Sequence, residues 1–264
     1  MMMKVDINLV KQLRDATMAS LAECKKALEE ASGDLDQAMK ILREKGALKA
    51  AKKADRETHE GAVMAKQYGN KIAGLALYCE TDFVAKNDNF VALVEKLVDM
   101  IAAAPASDSF DALPADIQEM VNKTIEENIL TLGENLKLGP LFVREEAGYV
   151  YNHAGNKITA VVFGDGGDAV FKEVALQITA MNPQYLDRDA VPSDMINELT
   201  ALAEKELEGD NKPADIKEKI IAGKVSKALE DIVLVEQVYI RDGSKKIKDI
   251  LNGATITDFV RISI

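Results

Sequence analysis

Few residues in this chain have the types and spacing that chemistry needs. Histidine occurs twice, at His59 and His153, and cysteine twice, at Cys24 and Cys79. They lie far apart and form no metal-ligand spacing. His59 falls in a polar linker, and His153 at the tip of an expected hairpin, where a partner can touch it. The stretch "IIAGKVS" lacks the upstream glycine of a phosphate loop and any hydroxyl directly after Lys224. "GDGGDA", Gly164 to Ala169, fits the G-x-G-x-x-A dinucleotide pattern, with Asp189 following at the distance of the ribose acid. Two aspartates, Asp165 and Asp168, would then face a pyrophosphate with like charge, and the strand before them reads as half of an antiparallel hairpin. A tight turn with Asp168 as helix N-cap is the plainer expectation. No nucleophile elbow or zinc helix is present. Neither an enzyme, a bound cofactor nor a metal is expected.

One segment is harder to dismiss. "ETDFVAKND", Glu80 to Asp88, interrupts the passage from the apolar run "IAGLALYC" to the amphipathic run "FVALVEKLVDMIAAA". It admits two readings. In one, Thr81 or Asp82 caps a helix and Phe83 packs inward. In the other, Phe83 stands at the exposed tip of a strand-to-helix corner beside Asp82, an anchor for a partner's pocket.

The elements around it must position that segment. Nearly half of the 264 residues are apolar, enough for a sizeable core. A net charge of −11 argues against direct nucleic-acid binding, although "LKAAKKADR" is locally basic. The N-terminus lacks a continuous apolar signal core, and no run reaches the ~18 apolar residues of a membrane span. A soluble cytoplasmic protein with reduced thiols, away from any membrane, is expected.

Val5, Leu9, Val10 and Leu13 recur at helical spacing. Ser20 with Glu23 forms a capping box, Asp34 with Gln37 repeats it, and Gly33 and Gly46 are expected to close the second and third helices. From Gly61 the period becomes that of strands, with a hairpin turn at Gly69-Asn70. A helix from about Asn89 to Ala104, a loop from Pro105 to Pro114, and a further helix broken at Gly139-Pro140 follow. "GNKI" then recurs at Gly155–Ile158, again opening a strand that leads to a helix ending at a proline. Between Gly69 and Pro105 the first copy is longer by eight positions than the second between Gly155 and Pro183. The surplus is essentially the insert, so the shared core does not require it. Two helices about 193–231 form an antiparallel hairpin, with Ile196, Leu199, Leu202 and Ala203 set against Ile216, Ile220, Ile221 and Val225. A strand "DIVLVEQVYI", a short lysine-rich helix and the strand "ITDFVRISI" complete the chain.

The fold expected is α+β. Residues 1–55 make a three-helix module with a basic linker, 56–145 a first hairpin-plus-helix subdomain carrying the insert, and 146–264 a related second one containing the helical hairpin.

"TDFVAKND" after a strand, together with "LVKQLRDAT…CKKALEEASGDLDQAMKILREKG…KAAKKA", closely resembles the bacterial elongation factor Ts family over nearly the whole chain. The N-terminal module is similar to ubiquitin-associated domains. The resemblance implies a guanine-nucleotide exchange factor that binds elongation factor Tu, GDP-bound and nucleotide-free. Thr81, Asp82, Phe83 and Val84 are then the residues that dislodge the magnesium ion of that GTPase. Arg14, Leu21, Ala22, Lys25, Gly133, Glu134, Asn135 and His153 are further contacts implied by the same match. Where relatives carry two methionines at the contact turn, this chain has Leu21 and Ala22, so a smaller contact is expected. Some members continue into another helical module; none is expected here beyond Ile264, nor the grip it would supply. The family also admits a homodimer through the helical hairpin. The alternative is an adaptor that merely binds through the N-terminal module.

Overall fold

In a computed structural model of the chain, the described residues are 6–17, 19–208, 210 and 212–264, with the side chains of 43 and 46–52 left aside. Val5 and the side chains of the basic stretch at 48–52 therefore lie outside the described residues. The fold is α+β, with two three-stranded antiparallel sheets and a helical N-terminal region. Two compact units divide the chain. One takes the chain up to Glu145 together with Ala154–Ile158 and Ile262–Ile264; the other takes Glu146–His153 and Thr159–Arg261.

The first unit begins with α1 (Ile7–Thr17), α2 (Leu21–Glu30) and α3 (Leu35–Lys53). The Ser20–Glu23 capping box forms in both directions. The Asp34 carboxylate accepts the Gln37 amide. Leu13, Cys24, Ala27, Leu28 and Ala38 make the small core of these helices. Gly46 does not end the third helix, which runs on to Lys53. A mid-helix glycine costs only about 1 kcal/mol, and the Ala, Leu and Lys residues that follow favour continuation.

Next come β1 (Glu60–Tyr68) and β2 (Lys71–Cys79), paired from Glu60↔Cys79 to Tyr68↔Lys71. That register leaves a two-residue turn, and Gly69 takes the positive φ (63°) that such a hairpin demands at its first central position. After β2 stand a four-residue helix, α4 (Asp82–Ala85), then α5 (Asp88–Ile101), α6 (Ala115–Leu132) and β3 (Lys137–Arg144). Gly139 and Pro140, expected to break a helix, both lie in β3. This strand is an edge of the sheet, where a proline forfeits no required ladder bond. The ladder shifts register opposite them, between Leu75 and Leu77. Phe90, Val94, Leu97, Val98 and Ile101 of α5 close over Leu75, Leu77 and Val143 to form the core, with α6 adding Val121, Ile125 and Ile129.

The second unit holds β4 (Gly148–Asn152), all but the first residue of β5 (Ile158–Asp165), α7 (Asp168–Met181), α8 (Ser193–Glu206), α9 (Ala214–Ile232), α10 (Ile247–Ile250) and β6 (Thr255–Ser263) as far as Arg261, with strand order β4-β5-β6. The repeated "GNKI" does not repeat the turn. Here the last pair is Asn152↔Thr159, so a longer loop intervenes, with Gly155 and Asn156 both at positive φ. "DIVLVEQVYI" is not a strand. α9 runs through Ile232, a short 3-10 turn follows, and only single bridges form, Val233 with Tyr185 and Val238 with Lys246. The buried Gln177 carboxamide satisfies that segment instead, donating to the Val238 carbonyl and accepting the Ile240 amide. In the helical hairpin, Ile196, Leu199 and Val225 pack around Leu229 and Val233. Leu202 and Ile216, expected on the same seam, are exposed. Among the described residues no helix is long and apolar enough to cross a membrane.

Candidate functional site

"GDGGDA" is a strand end, not a nucleotide cradle. A Cβ at Gly164 would stand 2.0 Å from the Thr255 carbonyl oxygen, so the glycine is required by the close passage of β6. Gly167, not Asp168, is the N-cap of α7. Asp168 occupies the first turn, where its charge suits the positive helix end. Among the described residues no three His, Cys, Asp or Glu side chains gather as a metal site would need.

The insert folds as a separate corner. β2 ends at Cys79, α4 makes a single turn, and α5 starts afresh with Asn87 as its own N-cap, accepting the Asn89 amide at 2.8 Å. Thr81 caps α4, its Oγ accepting the Val84 amide at 3.4 Å. Both sequence readings thus hold a part: the cap belongs to Thr81, but Phe83 does not pack inward. Its side chain is 83% exposed, while Ala85 is buried and Val84 packs against the core. Asp82 pairs with Lys86 one turn on, at 2.8 Å. The Lys86 ammonium holds the Asp82 carboxyl below its ordinary range, so the acid beside Phe83 is an anion at neutral pH.

The corner is braced from the far end of α6. Gly133 closes that helix in the left-handed region, and Glu134 turns its carboxylate onto the corner. One oxygen accepts the amides of Glu80 (2.9 Å) and Thr81 (3.0 Å), and the other accepts the Thr81 hydroxyl at 2.5 Å. Glu80 answers in kind, accepting the Asn135 amide at 2.6 Å and pairing with Arg56 at 3.3 Å. The Asn135 amide, with Arg56 beside it, lowers the Glu80 carboxyl pKa. Asn135 is buried, and its carboxamide donates to the carbonyls of Arg56 (2.8 Å) and Ala54 (3.4 Å) in the linker after α3. Lys53 caps the Gly133 carbonyl. Gly133, Glu134 and Asn135 therefore join Thr81 in one hydrogen-bonded node. Asn135 turns inward to the linker and offers no surface to a partner. The resemblance named Gly133, Glu134 and Asn135 as partner contacts, and nothing in the sequence says what the Glu134 carboxylate reaches.

The other expected contacts are surface residues. Arg14 is exposed on α1, and Leu21, Ala22 and Lys25 on α2. His153, in the loop after β4, is exposed, its Nδ1 3.1 Å from the Tyr151 hydroxyl. "TDFV" also recurs at Thr257–Val260, inside β6, where Phe259 packs against the core of the second unit. The same four residues leave an aromatic exposed in one place and pack it half-buried against a core in the other.

Together these features set an exposed aromatic on a hydrogen-bonded corner of an α+β fold. The family profile described as "Elongation factor TS" matches residues 80–264. The chain is 38% identical to the elongation factor Ts of Hydrogenobaculum sp. (strain Y04AAS1), covering 99% of both chains. It is 37% identical to that of Psychrobacter sp. (strain PRwf-1), covering 100% of this chain and 92% of the relative. To the Deinococcus deserti elongation factor Ts it is 40% identical, over 97% of this chain and 98% of the relative. The chain belongs to the elongation factor Ts family, and its role is in translation elongation.

Proposed function

We propose that this protein binds the GDP complex of elongation factor Tu and speeds release of the nucleotide, without covalent chemistry of its own. The observation that carries this reading is Phe83, an aromatic 83% exposed on a braced corner. Aromatic residues, phenylalanine among them, are enriched in the cores of protein interfaces. Inserted between helices of the GTPase domain, Phe83 acts as a wedge, with anionic Asp82 making polar contacts beside it. Moving the helix that follows the phosphate loop withdraws ligands from magnesium and amides from the phosphates.

Reciprocity sets the size of the task. If the factor weakens GDP binding, GDP weakens factor binding equally. A thousandfold effect requires about 4 kcal/mol. Burying one phenylalanine supplies about 1.5–3 kcal/mol. Other contacts must share the work, and Arg14, Leu21, Ala22 and Lys25 of the N-terminal module and His153 of the second unit are the proposed ones.

The test is release of a fluorescent GDP analogue from elongation factor Tu. Wild type is expected to accelerate release strongly, and Phe83→Ala, still folded, to lose most of that acceleration. Binding without acceleration by the wild type would leave an adaptor in place of an exchange factor.

A further inference from the structure

We propose that Glu134 is a positioning residue for nucleotide exchange: its carboxylate sets the Thr81–Val84 corner so that Phe83 pushes rather than yields. The claim rests on the exchange-factor reading above.

A single helical turn does not hold itself, because forming the first turn fixes several dihedrals for one hydrogen bond. At α4 the side-chain cap is long, 3.4 Å from Thr81 Oγ to the Val84 amide. β2 has ended at Cys79, so the amides of Glu80 and Thr81 need other acceptors. Glu134 supplies them with a charged group, which makes such bonds stronger than neutral ones. It also accepts the Thr81 hydroxyl proton. That commits the hydroxyl as a donor on one side and turns its lone pairs toward the Val84 amide on the other. The chain Glu134–Thr81–Val84 thus runs from the end of α6 into the helix that carries Phe83. Glu80 closes the loop in the opposite sense by accepting the Asn135 amide. Two short segments, 80–81 and 134–135, lock each other.

Rigidity matters more for pushing than for binding. A loose corner can still dock through the remaining contacts, but displacing elements of the GTPase requires that Phe83 be already ordered, since ordering it during the encounter subtracts from the work done. Weakening the node should therefore lower the maximal release rate more than the apparent affinity. A direct partner contact would do the reverse.

The experiment uses the full chain with elongation factor Tu and a fluorescent GDP analogue, measuring release rate against factor concentration. Glu134→Gln, which keeps the shape but replaces an acceptor with a donor, is expected to lower the maximal rate about tenfold, equivalent to about 1.4 kcal/mol. The half-saturating concentration should change little. Thr81→Val should show part of the same loss, and the double variant no more than Glu134→Gln alone, because both act through one network. In the free proteins, amide hydrogen exchange at Glu80 and Thr81 should be faster in Glu134→Gln. An unchanged maximal rate, a loss confined to half-saturation, or strictly additive losses would overturn the proposal. Unchanged amide protection at Glu80 and Thr81, with wild-type exchange normal, overturns the positioning role alone. A wild type inert toward elongation factor Tu overturns the exchange reading and the positioning role together, even if the two amides lose protection.

Discussion

Phe83 and Val84 are neighbours on one turn of helix and serve opposite ends. Phe83 is 83% exposed, whereas Val84 packs against the core formed by α5, α6 and the first sheet. An exposed apolar ring adds little to folding, and surface substitutions away from special features stay within about 0.5 kcal/mol. Phe83→Ala should therefore leave the urea midpoint almost unchanged. Val84→Ala removes two methyl groups from a half-buried site and should cost about 1 kcal/mol. Equilibrium urea unfolding of the two variants separates the roles. A Phe83→Ala protein destabilised as much as Val84→Ala would mean that the ring packs inward after all.

The second "TDFV" makes the complementary case. Phe259, half-buried within β6, packs against the apolar core of the second unit. Replacing it with alanine removes a half-buried ring from that core and should cost about 1–2 kcal/mol. Release of the GDP analogue by the protein that remains folded should proceed at the wild-type rate. Thermal unfolding combined with the exchange assay distinguishes it from Phe83→Ala, which should show the inverse pattern.

These contrasts mark what was legible in the sequence. The capping box at Ser20, the Gly69-Asn70 hairpin and the long amphipathic helices are local signals, and the fold obeys them. What escaped depends on partners distant in sequence. β3 was hidden because Gly139-Pro140 reads as a break unless one knows that the strand lies at a sheet edge. "DIVLVEQVYI" has the composition of a strand, but Gln177 on α7 supplies the hydrogen bonds that a ladder would have made. At the candidate site the insert was conspicuous and the exposure of Phe83 was one of two readings. The brace was not legible, because Glu134 meets Thr81 across a gap of 53 residues.

Cys79 offers a chemical check on the same corner. It is fully buried at the end of β2, its thiol directed at the Thr81 carbonyl at 3.3 Å. Burial, with the nearby Glu134 charge, pushes its pKa up to about 12. Cys24, also buried, is raised as well. Thiolate is the reactive form, so at pH 8 neither thiol should react with an aromatic disulfide reagent in the native protein, and both should react at once in denaturant. Faster labelling of Cys79 in Glu134→Gln would report loosening of the corner directly. Rapid native labelling of either thiol would contradict this packing.

Acid stability should carry the signature of Glu80. Its carboxylate is held below the ordinary range chiefly by the Asn135 amide, with Arg56 contributing. A folded pKa below the unfolded one means that the ionised form stabilises the native state. That contribution is fully present above the unfolded value, ordinarily near 4.5. It is lost as pH falls through the lowered folded value. Glu80→Gln removes both the charge and the Arg56 pair. At pH 7 the variant, whose carboxamide oxygen can still accept the Asn135 amide, should be less stable by about 1 kcal/mol, the difference between a charged and a neutral hydrogen bond. The difference should shrink below pH 4.5. Urea unfolding of wild type and variant between neutral and acid pH tests it. A gap that stays constant to low pH would show that Glu80 contributes through packing, not through its charge.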